Sequence, residues 1–227
     1  IDYCYVSAFD GCNINSTLRS ISGQSTMVGQ TGTTEINYAK SNNTGSDVIW
    51  YTGLFNDWML INILLLLIGK STDSQDNVSG VKVFGIENFY GNVWKRIGGW
   101  IDANGTQKIK MTYGQSDGST VDGYNTNGTG YIVIPNSTPS GSNGGYISKV
   151  LFNKNGLVPT TASGSQTTYY CDGLWFNNSQ IDYAIVGGCC NIGLLVGAFS
   201  LNFSFVVSSN IYGLCGATLS CKPLASS

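Results

Sequence analysis

The stretch Tyr183–Cys221 reads YAIVGGCCNIGLLVGAFSLNFSFVVSSNIYGLCGATLSC. It holds no charged residue and no Gln, Trp, Met, His or Pro. Two origins fit this vocabulary. A pair of buried strands excludes charge because both faces are covered. A segment written in codons of the form NNC lacks Lys, Glu, Gln, Trp and Met, because no codon ending in C encodes them. Mutation of the adenines of AAC codons would leave such a segment, and a segment diversified in that way codes a binding surface rather than a catalytic centre.

Working outward, the whole chain has 227 residues, 42% hydrophobic and 11% charged, with 30 Gly. That length is ample for a core, and the glycine content points to an α+β or β-rich protein with many tight turns and long loops. The formal net charge is −2, with no Lys/Arg cluster. Nucleic acid is therefore not expected as a partner, because phosphate binding needs concentrated positive charge. The absence of His removes Ser-His-Asp and Cys-His catalysis and the commonest zinc ligand. The seven cysteines include no CxxC pair, so neither a metal nor a cofactor is expected. Most should be free thiols, with a Cys4–Cys12 bridge left open.

The densest apolar run, WMLINILLLLI at Trp58–Ile68, is shorter than the ~20 residues a bilayer span needs. It reads instead as a deeply buried helix, apolar on nearly every face. A helix start at Ser46 or Asp47, a split near Gly53 or Asn56-Asp57, and a stop at Gly69 are predicted. A second helix is predicted over Asn88–Trp100, ending at Gly98-Gly99. Strands are predicted at Lys108–Tyr113, Tyr131–Ile134, Tyr146–Phe152, Thr168–Phe176, Tyr183–Val186, Leu194–Phe205 and Leu214–Cys221. Residues 1–45 read as a β-rich segment, part of or leading into a domain over 46–224. A chain opening on Ile1 reads as a fragment or a processed product, with no visible leader.

Three pieces occur in order: GIENFYGNVW at Gly85–Trp94, IVGG at Ile185–Gly188, and the tail with VGAFSL at Val196–Leu201 and GATLSCKPL at Gly216–Leu224. Together they resemble the formylglycine-generating (sulfatase-modifying) version of the C-type lectin fold. The tail resembles more specifically the variable proteins of diversity-generating retroelements, found in phage receptor-binding and bacterial surface proteins. The resemblance implies two helices packed on short antiparallel sheets with long loop insertions. It implies a fixed scaffold of Gly91, Asn92, Trp94, Gly187, Gly188, Gly197, Phe199 and Gly216. In that scaffold Asn92 satisfies buried backbone groups, and Val196, Leu201 and Leu219 are buried.

The enzymatic relatives place a Cys pair after GG in an arrangement like GGSWxC. Here Cys189, Cys190, Asn191 and Ile192 follow, with Ile192 in the place of the first catalytic Cys. No enzyme is expected, and an oxidase using Cys189 or Cys190 is the alternative. The EPN, QPD and WND triplets of calcium-dependent sugar binding are absent; Trp175-Phe176-Asn177-Asn178 is a faint echo. What remains is ligand display through Cys189, Cys190, Asn191, Ile192, Leu194, Leu195, Ser200, Asn202, Ser204, Phe205, Ser209, Asn210, Tyr212 and Leu214. The resemblance implies a protein or other cell-surface ligand and a place in a phage tail or on a bacterial surface, without membrane insertion. A homo-oligomer and a purely structural virion role both stay open.

Overall fold

The computed structural model describes residues 4–45, 47–69, 81–110, 130–204 and 211–223. The chain is a mixed α+β protein. In order it runs β1 (Tyr5–Val6), β2 (Gly11–Ile14), β3 (Thr17–Ser20), α1 (Gly32–Lys40), β4 (Val48–Thr52), α2 (Phe55–Leu67), β5 (Lys82–Val83) and β6 (Ile86–Glu87). Then come β7 (Trp94–Ala103), β8 (Gln107–Ile109), β9 (Ile132–Val133), β10 (Ser140–Gly141), β11 (Gly145–Tyr146) and β12 (Lys149–Asn153). The chain continues with β13 (Gly156–Ala162), β14 (Gly173–Phe176), β15 (Ile181–Val186), β16 (Leu201–Phe203), β17 (Cys215–Gly216) and β18 (Leu219–Pro223).

The main sheet has the order β11-β14-β16-β15-β7-β8-β9, with β17 added beside the start of β7. β7 is buried at every one of its ten positions. The sequence reading made Asn88–Trp100 a helix, and that is corrected here. Trp94, Ile97, Trp100 and Ile101 alternate between two covered faces, which is the signature of a central strand rather than of a helix. Gly98-Gly99 lies inside the strand. Gly98 N–H donates to Gly53 O, and Gly99 O accepts from Lys110 N–H.

A smaller sheet joins the two ends of the chain, in the order β1-β18-β4. Its strand β4 replaces the first part of the expected 46–68 helix. The run Val48-Ile49-Trp50-Tyr51-Thr52 is β-branched and aromatic and pairs along β18. Only Phe55–Leu67 is helical. Asp57 accepts the N–H of Leu54 at 3.2 Å, closing its first turn. Gly69, at φ 66°, ends it as expected. α2 is not covered on every face, since Leu60, Leu64, Leu67 and Ile68 are exposed. α1 lies in the segment read as β-rich. Thr31 Oγ1 caps it by accepting Thr34 N–H at 3.1 Å.

Residues 5–29 are laid along the C-terminal strands. Ser7 N–H donates to Leu219 O, Gly11 N–H to Ala217 O and Gly29 N–H to Cys215 O. A Cβ on Gly216 would stand 2.5 Å from Met27 O. Two buried ion pairs fix this layer to β7. Lys95 and Arg96 are neighbours in a strand and point to opposite faces. Lys95 Nζ meets Asp10 Oδ1 at 3.3 Å, and Arg96 Nε meets Glu35 Oε2 at 2.9 Å. Asn92 Nδ2 donates to Asp10 Oδ2 at 2.7 Å, so this scaffold amide meets a carboxylate where the sequence implied backbone. All seven cysteines are free; Cys12 Sγ donates weakly to Arg19 O at 3.4 Å.

Replacing Arg96 alone by Met strands a buried carboxylate, and the expected loss is ~3–5 kcal/mol. Replacing Glu35 by Leu as well should restore most of it. Urea midpoints of the two variants decide this, and equal losses would refute it.

Asp102 is fully buried and stands opposite Asp182 in the β7–β15 register. Burial pushes its carboxyl up to about 6, and the Asp182 carboxylate pushes the same way. The folded protein thus keeps a proton that the unfolded chain loses between about pH 4 and 6. Stability therefore falls as pH rises through that window and stays at its lower value above it. Asp102→Asn should flatten the slope and stabilise the protein at neutral pH by up to roughly 3 kcal/mol. An unaltered pH profile of the urea midpoint would remove this account.

Candidate functional site

The tail starts where β15 ends. Gly187 and Gly188 hold φ of 85° and 71°, a backbone that side chains resist. Gly187 N–H donates to Ser200 O at 3.0 Å, and Gly187 O accepts from Gly91 N–H at 2.9 Å. Cys190 N–H reaches Asn92 O at 3.3 Å. The GNVW and GGCC segments are thus tied main chain to main chain.

A 3₁₀ turn at Gly193–Leu195 leads into Val196–Ser200, which wraps a buried carboxylate from outside the tail. Asp172 Oδ2 accepts Phe199 N–H at 2.6 Å. A Cβ on Gly197 would collide with that same carboxylate. Ser200 Oγ donates to Leu195 O. The chain then enters β16, which pairs parallel to β14 and antiparallel to β15. After the 3₁₀ turn, Val196, Phe199 and Leu201 are buried in the core shared with α2, and Leu219 is buried nearer the chain ends.

Alternation along β15 sends Ala184 and Val186 into that core. Tyr183 and Ile185 face the other way and join Trp94, Ile101, Cys189 and Cys215. On this second cluster rest the half-buried side chains of Tyr131, Trp175, Ile181, Ile192, Tyr212 and Leu214. Trp175 meets Trp94 edge-on, with ring centroids 5.5 Å apart. Its indole is seated by glycines, since a Cβ on Gly144 would stand 2.6 Å from Nε1.

Cys190, Asn191 and Leu194 are exposed, and Ile192, Leu195, Ser204, Tyr212 and Leu214 are half-buried. Cys189, Ser200 and Asn202 are buried, which corrects their reading as contact residues. Cys189 fills the apolar cluster, Ser200 closes the turn, and Asn202 Oδ1 accepts Ser204 N–H at 2.7 Å. Phe205, Ser209 and Asn210 lie outside the described residues. Among the described residues of the strand expected over Leu194–Phe205, only Leu201–Phe203 is extended in a sheet.

Two residues at this surface, Ile211 and Trp175, were not expected as contacts from the sequence. Ile211 is 69% exposed beside Tyr212, and its only signal was its place in the tail. Trp175 comes from β14, where it alternates with Leu174 and Phe176, both packed on the opposite, core side.

Burial pushes the Cys189 thiol up and the Cys215 thiol up to about 12, and raises the Tyr212 hydroxyl. Cys189 and Cys215 are therefore neutral packing groups at neutral pH. Among the described residues no group of three or more Cys, Asp or Glu is placed to hold a metal ion. No helix there is long and apolar enough to cross a membrane. The sequence matches no family model, and no curated protein matches it.

Gly197→Ala should cost more than ~3 kcal/mol or prevent folding, because the added methyl lands on a buried carboxylate. Ala substitution at exposed Asn191 should cost under ~0.5 kcal/mol. Chemical denaturation compares them, and similar costs would show that the turn is not held this way.

Proposed function

We propose that this chain is a ligand-binding protein with a C-type lectin fold, whose tail surface is diversified by a retroelement, as in phage receptor-binding and bacterial surface proteins. The fold reading is supported by two helices on short, mostly antiparallel sheets and by strands β1 and β18, far apart in sequence, that meet in one sheet.

One observation carries the function. Three glycines of the tail, Gly188, Gly197 and Gly216, have no room for a Cβ, while Cys190, Asn191 and Leu194 between the first two point outward. Gly188 is backed by Ile192 and Val196, Gly197 by Asp172 and Gly216 by Met27. Cys190, Asn191 and Leu194 stand in solvent between these anchors. Together with Ile192, Leu195, Ile211, Tyr212 and Leu214 they offer an uncharged apolar and aromatic surface. A protein interface core has this composition, with Tyr212 and Trp175 as anchors. The oxidase alternative is less supported, because a thiol kept neutral by burial, as at Cys189, is a poor nucleophile.

The deciding experiment is sequencing of the coding locus and of the tail across a passaged population. A near-copy of the tail's DNA should lie nearby, beside a reverse transcriptase gene, with mismatches confined to adenines. Substitutions should gather in the codons of 190–192, 194, 195, 212 and 214 and spare Gly187, Gly188, Gly197 and Gly216. No such copy, or substitutions spread evenly across both sets, would overturn the proposal.

A further inference from the structure

The Lys95–Asp10 pair is built with more polar contacts than a buried ion pair needs. Lys95 is 2% exposed and Asp10 8%. The two carboxylate oxygens of Asp10 are not used alike. Oδ1 faces Lys95 Nζ at 3.3 Å. Oδ2 accepts from three neutral side chains: Asn92 Nδ2 at 2.7 Å, Asn88 Nδ2 at 3.0 Å and Thr26 Oγ1 at 3.4 Å. An amine thus stands beside one oxygen while donors converge on the other. Acyl transfer asks for that division, with a nucleophile next to the carbonyl carbon and an oxyanion hole around the oxygen that gathers charge.

The surroundings favour condensation. Both residues line a small cavity with Phe9, Trp58, Phe89 and Ile97. Away from bulk water, an ion pair gains less over its neutral amine-and-acid form than it does in solvent. The fold holds Nζ and Cγ together, so no diffusional encounter opposes the bond. The cavity, about 20 Å³, is large enough for the one water that an amide condensation releases. Asp57 lines the same cavity. Burial pushes its carboxyl up to about 6, so it exchanges a proton close to neutral pH and suits a relay.

We infer that Lys95 and Asp10 become joined by an intramolecular amide bond that the folded chain forms by itself. A proton passes from the Nζ ammonium to Oδ1, leaving an amine. Nζ attacks Cγ, and the charge that develops on Oδ2 is held by Asn92, Asn88 and Thr26. A second proton moves from Nζ to Oδ1, the Cγ–Oδ1 bond breaks, and Oδ1 departs as water. One ammonium and one carboxylate give one amide and one water, with no further reactant. The link fastens the N-terminal layer to β7 covalently. It stands independently of the ligand-binding reading.

Intact-mass spectrometry of the full wild-type chain, denatured and reduced, tests it. The mass should lie one water below that of the sequence, and a protease digest should contain a branched peptide joining Asp10 to Lys95. Asp10→Ala and Lys95→Met should each restore the full mass. Asn92→Ala keeps both reacting groups and should slow the link at least ~tenfold, read as the linked fraction against time in cell-free synthesis. Should these variants misfold, the wild-type mass decides alone. A wild type at the full sequence mass overturns the inference. So does a lost water that maps to a succinimide at Asp10-Gly11 with Lys95 free, or a lost ammonia that joins Lys95 to Asn88 or Asn92. A link that forms as fast in a folded Asn92→Ala variant overturns it equally.

Discussion

Two adjacent cations in a fully buried strand impose a demand that the rest of the fold meets. Lys95 and Arg96 cannot share a face, so each needs its own carboxylate from a different layer. Asp10 supplies one and Glu35 the other. Both come from the first 45 residues. That segment is therefore a wall of the domain, not a tether leading into it. It also reaches the tail indirectly, since Asp10 holds Asn92, and the carbonyl of Asn92 receives Cys190 N–H.

The tail is organised by the same logic of one permitted residue per place. Three of its glycines are fixed by close approach: Gly197 against the Asp172 carboxylate, Gly216 against the Met27 carbonyl, and Gly188 against Ile192 and Val196. The partners of Gly197 and Gly216 lie outside the tail, and those of Gly188 within it. The outward side chains at Cys190, Asn191 and Leu194 contribute little to them. The inward ones, Cys189, Ser200 and Asn202, belong to the framework although they look like their neighbours in sequence.

That difference explains what could be read in advance. The α+β class, the α2 stop at Gly69 and β15 were legible, because each rests on local apolar pattern or on a glycine; the buried set Val196, Phe199, Leu201 and Leu219 came from the resemblance of the tail's motifs. β7 was not, since a strand covered on both faces shows no period-two contrast, and GNVWKRIGGW carries a helix-like mixture of sizes. α1 was missed because its sequence, GTTEINYAK, is mostly polar; the Thr31 cap was its one visible signal. The partners of Lys95 and Arg96 could not be read at all, because Glu35 stands 61 positions from Arg96. Within the tail, sequence separated Gly from non-Gly positions, but not inward from outward ones. The sense of each turn decides that, and it is set by Asp172 and Asn92 from elsewhere in the chain.

Closure of the terminal sheet has a consequence for how the molecule is made. Ser7 Oγ accepts Leu219 N–H across 212 positions, and β1 and β4 both wait for β18. On the ribosome β1 and β4 emerge before β18 and gain this partner only once residues 219–223 have been synthesised. A change in Leu219–Pro223 is therefore felt at both β1 and β4, segments far from it along the chain.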